Sequence, residues 1–155
     1  MASSTGSGGD FLAKKSATLQ SRAGLPRLVD VLIVDDEAID ADRMLGTLRV
    51  MYGYEVALRR AASINSALSL VIAKAPDIIF LDDILKPSDD GAHTIPLLRR
   101  AGYKGPIVVV SGQVTRTRKP ILLAAGATDV IHKDDVDSVR LHEALQRVFG
   151  AAKPR

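Results

Sequence analysis

The sequence predicts an α/β fold: a doubly wound, five-stranded parallel sheet with helices on both faces. Three observations carry this. Short apolar runs without polar alternation recur along the chain, and the clearest is Pro76-Asp77-Ile78-Ile79-Phe80-Leu81-Asp82-Asp83. Four consecutive apolar residues suit a parallel strand covered on both sides. Segments with helical spacing lie between the runs, giving five strand-then-helix units and hence the (βα)5 pattern of a parallel sheet. Polar side chains also stand where four of the five strands end, at the carboxyl edge where open α/β sheets hold their ligands.

The elements follow in order. Leu28 to Val34 is an apolar strand ending at Asp35-Asp36-Glu37. Ala38 to Met51 places Ile39, Met44, Leu45, Leu48 and Met51 at roughly helical spacing, and Gly53 stops that helix. Tyr54 to Leu58 is a short second strand. Ser63 is a candidate N-cap for a helix through Lys74 whose inner face is Ile64, Ala67, Leu68, Val71 and Ile72. Pro76 closes it, and the third strand runs to Asp82. Lys86 to Gly91 reads as a loop, followed by a helix from about Ala92 to Arg100. Pro96 is tolerated only in a first turn, so the regular helix is expected to start late, near Ile95. Ile107 to Val110 is the fourth strand, stopped by Ser111-Gly112. A helix with Pro120 at its first position runs to Ala125, capped by Gly126. Asp129 to His132 is the fifth strand and reaches Lys133; a last helix starts at Asp137 and ends at Phe149.

Length and composition narrow the function classes. A chain of 155 residues supports one domain with tails, here 1–27 and 150–155 around a folded unit at 28–149. Apolar content of 46% and charged content of 25% are ordinary for a soluble globular protein. No apolar run approaches the ~18 residues of a membrane span, and the N-terminus lacks the apolar centre of a secretion signal. A cytoplasmic protein is expected. The absence of cysteine excludes disulfides, thiolate metal sites and cysteine nucleophiles. The net charge of +3 comes from the tails: Lys14, Lys15, Arg22, Arg27, Lys153 and Arg155 stand there against Asp10, which leaves 15 basic and 17 acidic side chains in 28–149. A basic nucleic-acid surface is not supported, and direct DNA binding is not expected. Residues 10–23 read as a loose tail, or as a short amphipathic helix around Phe11, Leu12 and Leu19.

The strand ends bring together Asp35 and Asp36, Asp82 and Asp83, Ser111, and Lys133. Several carboxylates in one cleft repel each other unless a cation sits among them. An oxygen-only ligand set points to Mg²⁺, which takes a few carboxylates and keeps several waters. A metal beside a Lys ammonium and a Ser hydroxyl makes a place for a phosphoryl group, with an Asp oxygen placed for in-line attack.

Over about 28–149 the chain resembles the receiver domain of two-component response regulators. The matching pieces are Val34-Asp35-Asp36-Glu37, Pro76 through Asp82, Pro87 with Asp90-Gly91, Val109-Val110-Ser111-Gly112, and Gly126-Ala127-Thr128-Asp129 leading to Lys133. Their order and spacing are more specific than any one of them. The resemblance implies the flavodoxin-like fold with strand order 2-1-3-4-5. It implies Mg²⁺-dependent transfer of a phosphoryl group to one Asp from a sensor histidine kinase or a histidine phosphotransfer protein. It also implies a metal site from among Asp35, Asp36, Asp82, Asp83 and a backbone carbonyl near Ile84 or Leu85, with Ser111 and Lys133 on the phosphoryl group. The switch-aromatic position, three residues before the Lys, is Val130, so a Ser/aromatic rotamer switch cannot work in the usual form. Lys133 is followed by Asp134 where the family usually has Pro.

Two acids compete for the acceptor role. The strand spacing and the apolar Leu85 three residues on select Asp82; Pro87 and Gly91, four and eight residues after Asp83, select Asp83. Adjacent strand residues face opposite ways. With Asp83 as acceptor, Asp82 would point under the helices as an unpaired buried acid, which is costly. With Asp82 as acceptor, Asp83 is expected just past the strand end, in reach of water. Asp82 is the preferred acceptor and Asp83 the runner-up.

The expected function is that of a single-domain response regulator, not itself an enzyme. Its output would pass through contact with a downstream protein, with a homodimer left open. The alternative is a receiver-like binding module that does not depend on phosphate, supported by Val130 and the irregular Asp82-Asp83 spacing. An Asp-nucleophile phosphatase is disfavoured by the adjacent acids and short loops. Arg116, Arg118 and Lys119 read as a solvated helix start, with an acidic-partner docking site as the sharper alternative. His93, His132 and His142 are too scattered to ligate a metal.

Overall fold

The computed structural model describes residues 24–86 and 89–150. Pro87, the segment around Phe11, Leu12 and Leu19, and residues 151–155 lie outside the described residues. The main-sheet strands are β1 (Asp30–Val34), β2 (Ala57–Ala61), β3 (Ile78–Asp82), β6 (Ile107–Ser111) and β7 (Asp129–His132). A small hairpin pairs β4 (Ile84–Leu85) with β5 (Asp89–Asp90). The helices are α1 (Ala38–Tyr52), α2 (Ile64–Ala73), α3 (Gly91–Arg100), α4 (Arg118–Ala125) and α5 (Ser138–Gly150), and Lys133–Asp135 forms one 3₁₀ turn.

The sheet order is β2-β1-β3-β6-β7, with every neighbouring pair parallel. This is the flavodoxin-like order that the sequence implies. Alternation along each strand divides the core in two. Val31, Ile33, Ile78, Phe80, Val108, Val110 and Ile131 face α1 and α5; Leu32, Val34, Ile79, Leu81, Ile107, Val109 and Val130 face α2, α3 and α4. β1, β3 and β6 are buried at every position. That is why they read as unbroken apolar runs rather than alternating ones.

The structure moves several expected boundaries. β2 lies at Ala57–Ala61 rather than Tyr54–Leu58. Its arginines are held in place: Arg59 Nε bonds Asp30 Oδ1 at 2.9 Å, and Arg60 bonds the Asp35 carbonyl. Tyr54 is exposed instead, under the Arg49 guanidinium. Ile72, expected on an inner face, is 70% exposed, and Ile39, counted in the helical apolar spacing, is 83% exposed. Lys86–Gly91 is not a plain loop, since Asp89 and Asp90 return to pair with Leu85 and Ile84. The third helix begins at Gly91 rather than near Ile95. Two carboxylates take up its free N–H groups: Asp90 accepts from His93 N, and Asp83 accepts from Gly91 N. Pro120 is the third residue of α4 rather than its first, still within the turn where a missing N–H costs nothing. Ser63 caps α2 as expected, accepting from Ser66 N at 3.1 Å. Residues 24–27, expected within the tail, lie against the domain: Tyr52 donates to the Pro26 carbonyl, and Leu25 packs on the first core.

Candidate functional site

The carboxyl edge of the sheet holds the residues singled out by sequence. Register fixes their places. β1, β3 and β6 end side by side, so Asp35, Asp82 and Ser111 arrive on neighbouring strands. Asp35, Asp36 and Asp82 each offer a carboxylate oxygen, and the three oxygens lie within 4.8 Å of one another. Asp35 and Asp82 are buried, while Asp36 is partly open to water. Asp35 Oδ1 accepts from Glu37 N, and Asp36 Oδ2 accepts from Lys86 N at 3.3 Å, which orients both acids. Lys86 Nζ closes this side on Glu37 at 2.9 Å.

Like charges at such distances cost several kcal/mol per pair when solvent is scarce, about 4 kcal/mol at 4 Å with an effective dielectric near 20. The effect falls on Asp82. Burial, and then the neighbouring Asp35 carboxylate, push its carboxyl up to about 7. Burial raises Asp35 as well. Lys133 gives partial relief, with its Nζ 3.4 Å from Asp82 Oδ1, but it is shared with Asp40 Oδ2 at 3.1 Å. A three-oxygen donor set with too little positive charge fits a hard divalent cation, and the exposure of Asp36 leaves room for retained waters.

Asp83 occupies different surroundings. Asp82 points to the α1/α5 side and Asp83 to the α3/α4 side, as neighbours at a strand end must. The sequence expectation that Asp83 lies in reach of water is overturned: it is 3% exposed. Its carboxylate accepts from Gly91 N at 3.0 Å, from Ser111 Oγ at 3.2 Å, and from Arg118 through Nε at 2.9 Å and through Nη2. Burial pushes the Asp83 carboxyl up, but Arg118 and the Gly91 N–H outweigh it, and it sits below its usual range. The cost of a buried acid beside the acceptor is therefore met by an ion pair. Asp83 is outside the three-carboxylate cluster, and the Leu85 side chain is buried in the second core.

Arg118 is accordingly not a solvated helix start. Its side chain is only 20% exposed, and it also lies 3.8 Å from Asp90. Sequence reasoning missed this partnership and that of Asp40. Asp40 lies in the first turn of α1, where its carboxylate accepts from Lys133 Nζ at 3.1 Å. The signal for Arg118 was the acid pair itself, since two adjacent acids at a buried edge require a second cation. Ser111 is buried, and its hydroxyl is shared between Asp83 Oδ2 and the Gln113 carbonyl, both at 3.2 Å. Val130 is 4% exposed, packed in the second core. His132 Nδ1 accepts from Asp134 N as a local cap.

Comparison with known proteins agrees with this geometry. The model of the response regulator receiver domain matches residues 31–146. The nitrogen assimilation regulatory protein NtrX of Azorhizobium caulinodans is 32% identical over 105 residues, covering 67% of this chain and 22% of that protein. Among solved structures, NtrX from Brucella abortus aligns with a TM-score of 0.71 at 28% identity, over 81% of this chain and 28% of that one. The chain thus spans about a quarter of the length of these relatives. The receiver domain of NarL from Mycobacterium tuberculosis aligns with a TM-score of 0.65 at 25% identity, over 84% of this chain and all of that one. With the sheet order, the strand-end acids and the lysine in place, the chain belongs to the response regulator receiver domain family.

Proposed function

We propose that this receiver accepts a phosphoryl group on Asp82, in a Mg²⁺-dependent reaction with a histidine kinase or a histidine phosphotransfer protein, as part of a two-component pathway in the bacterial cytoplasm. One observation carries the choice of Asp82. Of the two adjacent acids, it alone lies with Asp35, Asp36 and Lys133, while the Asp83 carboxylate is taken up by Arg118, Ser111 and Gly91. Bound Mg²⁺ supplies positive charge to the ionised acids and to the incoming phosphoryl oxygens. Asp35 and Asp36 hold it, Asp82 Oδ attacks phosphorus, and Lys133 offsets the charge delivered. The P–N bond of the donor phosphohistidine breaks as the Asp82 O–P bond forms, and the imidazole leaves with the electron pair. The domain is a phosphoryl acceptor whose output is a contact with another protein, rather than a turnover enzyme. The slight acidic excess of the folded unit, 17 acidic against 15 basic side chains in 28–149, supports a protein partner over DNA.

Incubation with acetyl phosphate and Mg²⁺ should label the protein. Asp82→Asn should abolish the label, and Asp83→Asn should retain it. Label that persists in Asp82→Asn and vanishes in Asp83→Asn would reverse the assignment. A second reading, a phosphate-independent binding module, is favoured by Ser111 being turned onto Asp83 and by Val130 in place of an aromatic residue. It predicts no labelling of the wild-type chain under the same conditions.

A further inference from the structure

We propose that Arg118 is a second phosphoryl-binding cation, one that leaves part of its bond to Asp83 to hold the phosphoryl group on Asp82 and so couples that group to the start of α4. The proposal rests on Asp82 being the acceptor. Its basis is an open cleft of about 490 Å³ whose lining includes Asp82, Ser111, Gln113, Lys133 and Arg118. Lys133 stands on one side of Asp82, and Ser111 and Arg118 belong to the other.

Donor arithmetic comes first. Ser111 has one hydroxyl proton, now directed between Asp83 Oδ2 and the Gln113 carbonyl. It can serve a phosphoryl oxygen only by leaving both. Asp83 then loses a donor while the charge on the residue next to it in the chain goes from −1 as a carboxylate to about −2 as an acyl phosphate. Lys133 is already divided between Asp40 and Asp82. The guanidinium has donors to spare: Nε and Nη2 face Asp83, which leaves Nη1 outside those bonds. A planar fork with five N–H groups suits an arrangement in which Asp83 and a phosphoryl oxygen share one cation.

Geometry comes second. Arg118 is the first residue of α4, and Asp83 is fixed at the end of β3, its N–H bonded to the Val110 carbonyl. The guanidinium reaches Asp83 from the first residue of α4, so its exchange from Asp83 toward Asp82 changes the bond that ties that first turn to the end of β3. Val130 gives this receiver no aromatic side chain to swing, whereas Ser111 and Arg118 already meet on one carboxylate. Releasing Ser111 from Asp83 and drawing Arg118 toward the phosphoryl oxygen are two halves of one exchange. Partly exposed Ile121 and Leu123 lie on the same helix, where a partner would sense the change.

The plainer role for Arg118 is only to neutralise buried Asp83, and the test separates the two. Wild-type protein, Arg118→Gln and the double variant Asp83→Asn/Arg118→Gln are labelled with acetyl phosphate and Mg²⁺; the phosphoryl group passes to Asp82 and acetate leaves. Binding of fluoroberyllate with Mg²⁺ is measured in parallel by thermal shift. The double variant removes the buried charge together with its partner, so it stays folded even if Arg118→Gln does not. Loss of one charge-assisted hydrogen bond to the phosphoryl group should slow labelling about tenfold or more, weaken fluoroberyllate binding, and persist in the double variant. Wild-type labelling rate and fluoroberyllate affinity in the double variant would overturn the proposal and leave the role of Asp82 intact. A wild-type chain that neither labels nor binds fluoroberyllate would overturn both.

Discussion

Asp82 and Asp83 are the same residue type one bond apart, and their surroundings separate them. Asp82 gains a proton affinity near neutrality because burial and Asp35 penalise its charge. Asp83 loses proton affinity because Arg118 and a helix N–H outweigh its burial. The sign of the stability effect follows. With its folded-state value raised from 3.8 to about 7, Asp82 stays protonated in the native chain over a range where the unfolded chain has ionised. Native stability should therefore fall as pH rises from about 4 to about 7, by on the order of 2 kcal/mol once solvent at the cleft mouth is allowed for. Asp83 contributes in the opposite sense only at more acid pH. Urea melts without divalent cation should show this slope, and Asp82→Asn should flatten it and gain stability at pH 8. Added Mg²⁺ should raise the midpoint more at pH 8 than at pH 5, because it binds the ionised cluster. An unchanged slope in Asp82→Asn would remove Asp82 as its source. At this scale the sequence exposed the acids, the hydroxyl and the lysine through their places at strand ends. It hid Arg118, because a basic residue at a helix start looks the same in solvent as against a buried carboxylate.

Elements were legible where burial was complete and obscure where it was partial. β1, β3 and β6 each carry at least four consecutive apolar residues, Val31–Val34, Ile78–Leu81 and Ile107–Val110, so their positions followed from hydrophobicity. β2 has one covered edge, and Arg59 and Arg60 break its pattern. Their guanidinium groups bond Asp30, Leu70, Lys74 and Asp35, a partnership that composition does not encode. The start of α3 was displaced in the same way, because Pro96 argued for a late start and the Asp83 bond to Gly91 N was invisible. That bond depends on close approach. A Cβ on Gly91 would lie 2.5 Å from Leu122 Cδ2 and 3.0 Å from Asp83 Oδ1. Leu122 is fully buried and has no free direction to yield. Gly91→Ala should therefore cost about 1–3 kcal/mol by overpacking and should loosen Asp83 with it. Chemical denaturation gives the first quantity. Amide exchange at the first turn of α3 gives the second, with faster exchange expected in the variant and equal exchange counting against the Asp83 bond.

Across the whole molecule the two edges of the sheet divide the labour. At the carboxyl edge, acids are crowded and left short of positive charge, which suits them to take up a cation and a phosphoryl group. At the amino edge, polar groups are matched by partners. Asp77 Oδ2 accepts from both Val29 N and Asp30 N, at 2.7 and 3.0 Å, and so ties the start of β3 to the start of β1. Asp30 in turn holds Arg59, with Lys74 3.6 Å away. The Pro76-Asp77 pair helped to mark the family in the sequence, but its physical task shows only when β1 lies alongside. The two apolar cores fill the space between the edges, one on each face. Asp77→Ala tests the division. It leaves the N–H groups of Asp30, at the start of β1, and of exposed Val29 before it without their acceptor, and should lower stability by about 1–3 kcal/mol. Asp82 lies at the far end of β3, so labelling by acetyl phosphate should continue at the wild-type rate under conditions where the variant is folded. A variant that unfolds more easily but phosphorylates normally would establish that the edges act independently. Slowed labelling in a fully folded Asp77→Ala protein would show instead that strain at one end of β3 reaches the other.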